Sequence, residues 1–274
     1  MNPTETIAFI GGGNMARSLV GGLVARGRAP ASIRVAEPVA DLRADLQRDF
    51  DVAAFATPAE AVAGAGTWVL AVKPQVLRAV CEGLAPAARA TRPLVVSTAA
   101  GITTAQLDRW LGGELAIVRA MPNTPALLGA GVTGLYANAQ VDAAGCRDAE
   151  QLLSAAGETV WLTDEARMDA VTAVSGSGPA YVFLLAEAMQ AAAEAEGLSR
   201  DAARTLVAHT LLGAGRMLVE DDAGPAELRR RVTSPGGTTQ AAIETFEAGG
   251  FRELVRRAVH AAAVRGKELS DAND

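Results

Sequence analysis

Histidine, cysteine and lysine each occur only twice in the 274-residue chain, as His209 and His260, Cys81 and Cys146, and Lys73 and Lys267. The two cysteines are far apart and fit no disulfide or metal-ligand spacing. Two histidines are too few to support a His-based zinc site, so no metal is expected. Basic residues are outnumbered, 25 Lys and Arg against 31 Asp and Glu, for a net charge of −6. A nucleic-acid partner is therefore not expected, because such binders carry a basic patch. No apolar run approaches the roughly 18 residues of a membrane span. The opening residues "MNPTETIAFIGGGN" lack a basic stretch before their short apolar run. They do not read as a secretory signal, and a soluble, cytoplasmic protein is expected. What the chain does have is apolar character in half of its residues, ample for a large core in one or two domains.

The texture changes near residue 164. Before it, short β-branched or apolar runs ("TIAFI", "SIRVA", "TWVLAV", "PLVVST", "LAIVRA", "VTGLYA", "ETVWL") alternate with Ala-rich helical stretches. That alternation is the pattern of an α/β domain with a parallel sheet covered on both faces. After Thr163 the strand-like runs stop. "GPAYVFLLAEAMQAAAEAEGL", "SRDAARTLVAHTLLGAGRMLVE", "PAELRRRV" and "GFRELVRRAVHAAAVRGKEL" all read as helix, with Pro179 near the start of the first and Ser199 as N-cap of the second. The first of these is apolar nearly all round, and about a hundred residues of helix cannot easily bury that surface alone. An oligomer interface is the expected outlet.

The segment "TIAFIGGGNMARSLVGGLVARG" reads as strand, glycine turn and helix, with the core pattern Gly11-x-Gly13-x-x-Ala16. Gly11 allows the tight turn, Gly13 lets the backbone approach a pyrophosphate, and Ala16 is small enough for helix–strand packing. The helix N-terminus then offers free N–H groups and a partial positive charge to the phosphates. Glu37 closes the second strand, where an acid binds the adenosine ribose hydroxyls and repels a 2′-phosphate. Taken alone it favours NADH, although Arg34 and Arg43 are close enough in sequence to receive a phosphate. Lys73 follows the strand in "VLAVKPQ", where ligands of open α/β sheets bind; a lysine capping the strand in water fits as well. Asn123 lies in "RAMPNTPALLG", a turn stiffened by prolines on either side of Asn123-Thr124. Such a turn suits holding a nicotinamide or substrate, and a purely structural turn fits the same residues.

A second glycine turn, "VTSPGGTTQAAIETFE", opens a helix with no strand before it. Pro235 fixes one φ, and Gly236 and Gly237 permit conformations that point successive N–H groups inward. The N–H groups of Gly237, Thr238 and Thr239 are expected to form an anion cradle, with a hydroxyl added by Ser234 or Thr238.

Together "FIGGGNMA", "AVKPQ", "RAMPNTPA", "VSGSGPAYVF" and "VTSPGGTTQAAIETFEAGGFRELVRRAV", in order along essentially the whole chain, resemble pyrroline-5-carboxylate reductase. The resemblance implies an N-terminal Rossmann domain binding NADPH or NADH (residues 1–163). It also implies an all-α domain for dimerisation and substrate binding (residues 164–274). Dimers of this family often assemble into decamers, and the site lies between one subunit's nicotinamide and its partner's helical domain. The activity implied is reduction of 1-pyrroline-5-carboxylate to L-proline. By the same resemblance Gly11, Gly13, Asn14, Met15, Ala16, Glu37, Ala71, Val72, Lys73, Pro74, Thr98, Ala99 and Ala100 line the cofactor. Ser234, Gly237, Thr238 and Thr239 hold the substrate, and Glu165 and Thr172 lie near it. Asn123 is assigned to the cofactor, and Thr239 and Thr172 to catalysis. Two positions depart from the pattern: many members carry Asn where Pro58 stands, and some an amide or acid where Arg231 stands.

The chemistry so implied is hydride transfer to an imine carbon with a proton placed on nitrogen. A threonine hydroxyl is too weak an acid to be the proton's source, but Thr239 can orient the ring nitrogen. Water, Asp222 or Glu165 can relay the proton. A β-hydroxyacid dehydrogenase is the nearest rival enzyme. It needs a helical Lys after the domain junction, and "VTAVSGSGPAYVFLLAEAM" contains none. A non-catalytic dinucleotide sensor would have no use for the second anion turn.

Overall fold

A computed structural model describes residues 5–272. The first four and last two residues, which the division at 163/164 assigns to its two domains, lie outside the described residues. Eight strands form one sheet: β1 (Ile7–Ile10), β2 (Ile33–Ala36), β3 (Ala53–Phe55), β4 (Thr67–Leu70), β5 (Leu94–Ser97), β6 (Ile117–Met121), β7 (Gly131–Ala137) and β8 (Gly157–Trp161). Their order is β3-β2-β1-β4-β5-β6-β7-β8. The first six are parallel, with Ile7 paired to both Ile33 and Thr67. This is the doubly wound arrangement, and the order reverses between β1 and β4.

The expectation of a parallel sheet needs one correction. β7 runs antiparallel to β6, and β8 returns parallel to β7. Nine residues, 122–130, separate Met121 from Gly131. A parallel crossover needs a dozen or more residues, so this connection can only reverse the chain. The three-residue β3, with its Ala-Ala-Phe sequence, was not among the strands expected.

Helices α1 (Asn14–Ala25), α2 (Ala40–Phe50), α3 (Pro58–Val62), α4 (Pro74–Thr91), α5 (Thr104–Leu111) and α6 (Ala143–Leu153) cover the sheet. The period-two alternation of β1 divides the core between the two faces. Ile7 and Phe9 pack with Leu19, Val20 and Leu46 on one side, and Ala8 and Ile10 with Trp68, Leu77 and Leu107 on the other. Cys81 belongs to this second core, and burial pushes its thiol up to about 12. It is therefore held as an inert thiol at neutral pH.

Beyond β8 the chain is helical: α7 (Met168–Val171), a π-helical turn at Thr172–Gly176, α8 (Gly178–Ala195), α9 (Arg200–Glu220), α10 (Pro225–Arg231), α11 (Thr238–Ala248) and α12 (Phe251–Asp271). Ser199 caps α9 by accepting the Ala202 N–H, as its sequence position suggests. The backbone falls into two compact units, residues 1–177 with 262–274, and residues 178–261. Residues 164–177 and the end of α12 thus pack with the sheet, although they follow the point where strands end in sequence. Among the described residues no helix is long and apolar enough to cross a membrane. No group of three His, Cys, Asp or Glu among them is placed to hold a metal ion.

Candidate active site

The loops after β1 and β4 meet at the switch point of the sheet. Gly11 has φ +103°, and a Cβ there would lie 2.6 Å from the Ala71 carbonyl oxygen. Both the left-handed backbone and the contact therefore require glycine. Gly13 is the N-cap of α1, with no side-chain cap, and nothing lies within 4 Å of where its Cβ would be. Beside that open space the N–H groups of Asn14, Met15 and Ala16 have no partner among the described residues, because the first intrahelical bond runs from Arg17 to Gly13. An uncapped helix end with three free donors beside a space clear of side chains fits a pyrophosphate.

Glu37 is 7% exposed. One carboxylate oxygen accepts the Gly12 N–H at 3.0 Å and the other the Val39 N–H at 3.0 Å. The acid at the end of β2 thus ties the glycine loop to the start of α2. Arg43 donates to the carbonyls of Glu37 and Pro38, both at 2.8 Å, while Arg34 lies over the Phe55 ring and donates to the Glu60 carbonyl at 2.6 Å. Both arginines flagged as phosphate receivers therefore already hold backbone. Pro58 opens α3 behind a capping box formed by Thr57 and Glu60.

At the ends of β4 and β5, Ala71 and Val72 are half-buried, Lys73 is exposed as the N-cap of α4, and Pro74 is its first residue. Thr98 donates its N–H and its hydroxyl to the Leu70 carbonyl, at 3.0 and 3.2 Å, and Ala99 is buried beside it. A cavity of about 200 Å³ opens here, lined by Pro74, Ala100, Gly101, Asp169, Thr172 and Gly266 among others. The Thr172 hydroxyl donates to the Met168 carbonyl at 2.9 Å, leaving its oxygen lone pairs for a ligand. Asp169 escaped the sequence reading. Its spacing of three from Thr172 puts both on one helical face, and that was the available signal.

Two assignments change when the side chains are followed. Glu165 accepts from the N–H and the hydroxyl of Thr104, both at 2.7 Å, and from Arg119 at 3.4 Å. Arg119, with only 5% of its side chain exposed, also faces Asp169 at 3.8 Å. Glu165 thus sits on the N-terminus of α5 and balances a buried charge, a supporting role that the sequence reading did not assign to it. The lone arginine in the apolar run "LAIVRA" was the sign that an acid had to be supplied from elsewhere. Asn123 accepts the Val132 N–H at 3.0 Å and donates to the Ser175 carbonyl at 3.2 Å. Its carboxamide faces the protein's own backbone, where a cofactor contact was expected.

The second anion turn joins α10 to α11. Gly236 has φ +68°, a left-handed conformation that favours glycine. The expected cradle needs one correction: the Gly237 N–H is bonded to the Ser234 carbonyl at 3.1 Å. The Gly236 N–H is taken by the Gln240 side chain at 2.7 Å. The donors without a partner among the described residues are those of Thr238, Thr239 and Gln240, at the uncapped start of α11. The cradle is thus displaced by one residue along the chain. Ser234 and Thr238 are exposed beside it, and Thr239 is half-buried. Arg231 is paired with Asp221 at 2.9 Å and Glu227 at 3.1 Å, and Asp222 is exposed.

A dinucleotide-type glycine loop, a cavity at the ends of β4 and β5 and a separate anion turn on a helical unit define a nicotinamide-dinucleotide-dependent oxidoreductase. Residues 6–101 match the family model described as NADP oxidoreductase, coenzyme F420-dependent, and residues 165–269 match that for pyrroline-5-carboxylate reductase dimerisation. The chain is 56% identical to a pyrroline-5-carboxylate reductase of Pseudomonas aeruginosa over 98% of both chains. Its fold is similar to the solved structure of a pyrroline-5-carboxylate reductase from Coxiella burnetii, with TM-score 0.94 and 44% identity over 97% of this chain and 99% of that one. A Plasmodium falciparum pyrroline carboxylate reductase, solved with NADP bound, gives TM-score 0.84 and 27% identity over 97% and 98%. The chain belongs to the pyrroline-5-carboxylate reductase family. The β-hydroxyacid dehydrogenase alternative is not favoured.

Proposed function

We propose that the chain reduces 1-pyrroline-5-carboxylate to L-proline with NADPH or NADH, the last step of proline biosynthesis. The observation that carries this reading is that the two glycine turns of the sequence, one on each unit, open helices α1 and α11 with three backbone N–H groups each left without a partner among the described residues. A pyrophosphate accounts for the first, at α1. The second, at α11, offers the same kind of donors to a second anion, and the substrate carboxylate is the anion assigned to it.

When bound, a reduced nicotinamide dinucleotide supplies the hydride. Gly11, Gly13 and the first N–H groups of α1 would hold its phosphates. The ends of β4 and β5, from Ala71 to Pro74 and Thr98 to Ala100, would hold its nicotinamide end together with Thr172. The N–H groups of Thr238, Thr239 and Gln240 grip the carboxylate, helped by the Ser234 hydroxyl and by the Gly237 backbone, which lets the ligand come close. The Thr239 hydroxyl orients the ring nitrogen. Imines are basic enough to bind as the iminium, so these residues work mainly by positioning. A hydride delivered to the iminium carbon would form the new C–H bond as the C=N π electrons become the nitrogen lone pair, which gives the neutral amine because that nitrogen already carries its proton. With Glu165 bonded to Arg119 and Thr104, water and Asp222 are left to supply the proton that turns the neutral imine into the iminium.

In this reading residues 164–274 form the dimerisation and substrate-binding domain. One protomer's nicotinamide meets its partner's anion turn, in a dimer that assembles further into decamers in the cytoplasm. Neither nucleic acid nor membrane is a partner.

The test follows NAD(P)H absorbance on addition of 1-pyrroline-5-carboxylate, run with each cofactor and with proline measured as product. Substrate-dependent oxidation with matching proline is expected. Turnover of another cyclic imine carboxylate, with none of this one, would replace the substrate assigned here.

A further inference from the structure

Five residues, Thr172–Gly176, form a π-helical turn, in which the Thr172 carbonyl accepts the N–H of Ser177 at 2.8 Å. Such turns carry an extra residue, are rare, and persist only where their surroundings hold them. This one forms part of the cavity wall through Thr172, and Asp169 lies one turn before it. Two hydroxyls brace it locally, Thr172 on the Met168 carbonyl and Ser175 on the Val171 carbonyl, both at 2.9 Å.

The Ser175 carbonyl is a different case. In a continuing α-helix its donor is the N–H of residue 179. That residue is Pro179, which has none. The missing donor is replaced by the Asn123 carboxamide, 52 residues earlier in the chain, at 3.2 Å. The other end of the carboxamide accepts the Val132 N–H at 3.0 Å at the start of β7. Asn123 sits between Pro122 and Pro125, so it is itself held in place. One amide therefore bolts the extra-residue turn to the sheet.

We infer that Asn123 is a positioning residue. By supplying the donor that Pro179 lacks, it fixes the register of the π turn and with it the placement of Thr172 and Asp169 on the cavity wall. The inference rests on the proposed reduction and adds to it a residue that acts through the turn without touching the dinucleotide. Its physical content is a compensation: a donor restored at position 179 makes Asn123 dispensable.

The experiment compares the full-length wild type with Asn123→Ala, Pro179→Ala and the double variant. It measures kcat and KM for 1-pyrroline-5-carboxylate and the dinucleotide Kd by fluorescence titration. Asn123→Ala should lower kcat/KM for the imine roughly tenfold or more, since misplacement of about an ångström has costs of that order. Its dinucleotide Kd should stay within about twofold of wild type. Pro179→Ala should leave the wild-type rate unchanged, yet restore most of the rate, or of the folded yield, lost in Asn123→Ala. A dinucleotide Kd raised as much as the rate falls, or a double variant no better than Asn123→Ala in rate and yield, overturns the inference. A wild type inactive on the imine overturns the proposed function instead, so the two failures are distinct.

Discussion

At the scale of single residues, the two glycine turns that open α1 and α11 were legible because their backbone chemistry is local. Gly11 and Gly236 stand where the backbone is left-handed, and glycine at such a point is visible in one dimension. The partners of polar side chains were not legible. Glu37 could be assigned to the end of β2, but not its bonds to Gly12 and Val39, because these form only after α2 folds back. That pair of hydrogen bonds sets a prediction. Glu37→Ser removes the charge that repels a 2′-phosphate and also leaves two N–H groups without their acceptor. The ratio of kcat/KM values should move toward NADPH while affinity for both dinucleotides falls. An unchanged ratio would return Glu37 to a purely structural role. Gly237 makes the complementary case on the substrate side. A Cβ there would sit 3.2 Å from the Ser234 carbonyl oxygen, at the mouth of the α11 cradle. Gly237→Val should raise KM for the imine by about 10-fold or more and leave NAD(P)H affinity intact; an unaltered KM would remove the turn from the substrate site.

At the scale of elements, the β-branched runs marked seven of eight strands because a buried parallel strand is a continuous apolar segment whatever its neighbours. Pairing direction has no such local mark. β7 looked like its parallel predecessors, and only the short connection from β6 dictates its reversal. The Ala-Ala-Phe of β3 is too brief to stand out. The π turn was hidden for the same reason: its cause is shared between Pro179 and a side chain on a distant loop. Arg119 and Glu165 show how elements are joined here. The arginine lies within β6 and the acid stands 46 residues later, in the turn before α7, with its carboxylate bonded to Thr104 at the start of α5. Removing one partner of a buried pair leaves the other charge poorly compensated, and Arg119 would keep only Asp169, at 3.8 Å. Glu165 retains partial exposure, so Glu165→Ala should cost about 2–3 kcal/mol of stability, read by denaturant unfolding. KM for the imine should change far less than in Gly237→Val. A large rise in KM at unchanged stability would restore Glu165 to direct substrate contact.

At the scale of the whole molecule, the deciding quantity is how little of the helical unit is buried. Among residues 178–261 only Ala203, Val207 and Leu228 are buried apolar side chains, and α8 and α11 contribute none. Phe183 and Leu184, in the middle of the apolar run of α8, are 67% and 66% exposed. A unit of this size cannot offset the conformational entropy of its own ordering with so small a core. The dimerisation model matched over residues 165–269 names the remedy, a second copy of the chain. Folding of this unit and association are then one process, which makes stability a function of protomer concentration. Tm should rise as the protein is concentrated, and activity should fall on dilution below the dimer Kd. Leu184→Glu places a charge in the surface to be covered. It should shift the species seen by sedimentation toward monomer and abolish turnover, while the sheet unit still binds NAD(P)H because its glycine loop and cavity are untouched. A concentration-independent Tm, together with an active dimeric Leu184→Glu variant, would show that α8 is not the surface the partner covers.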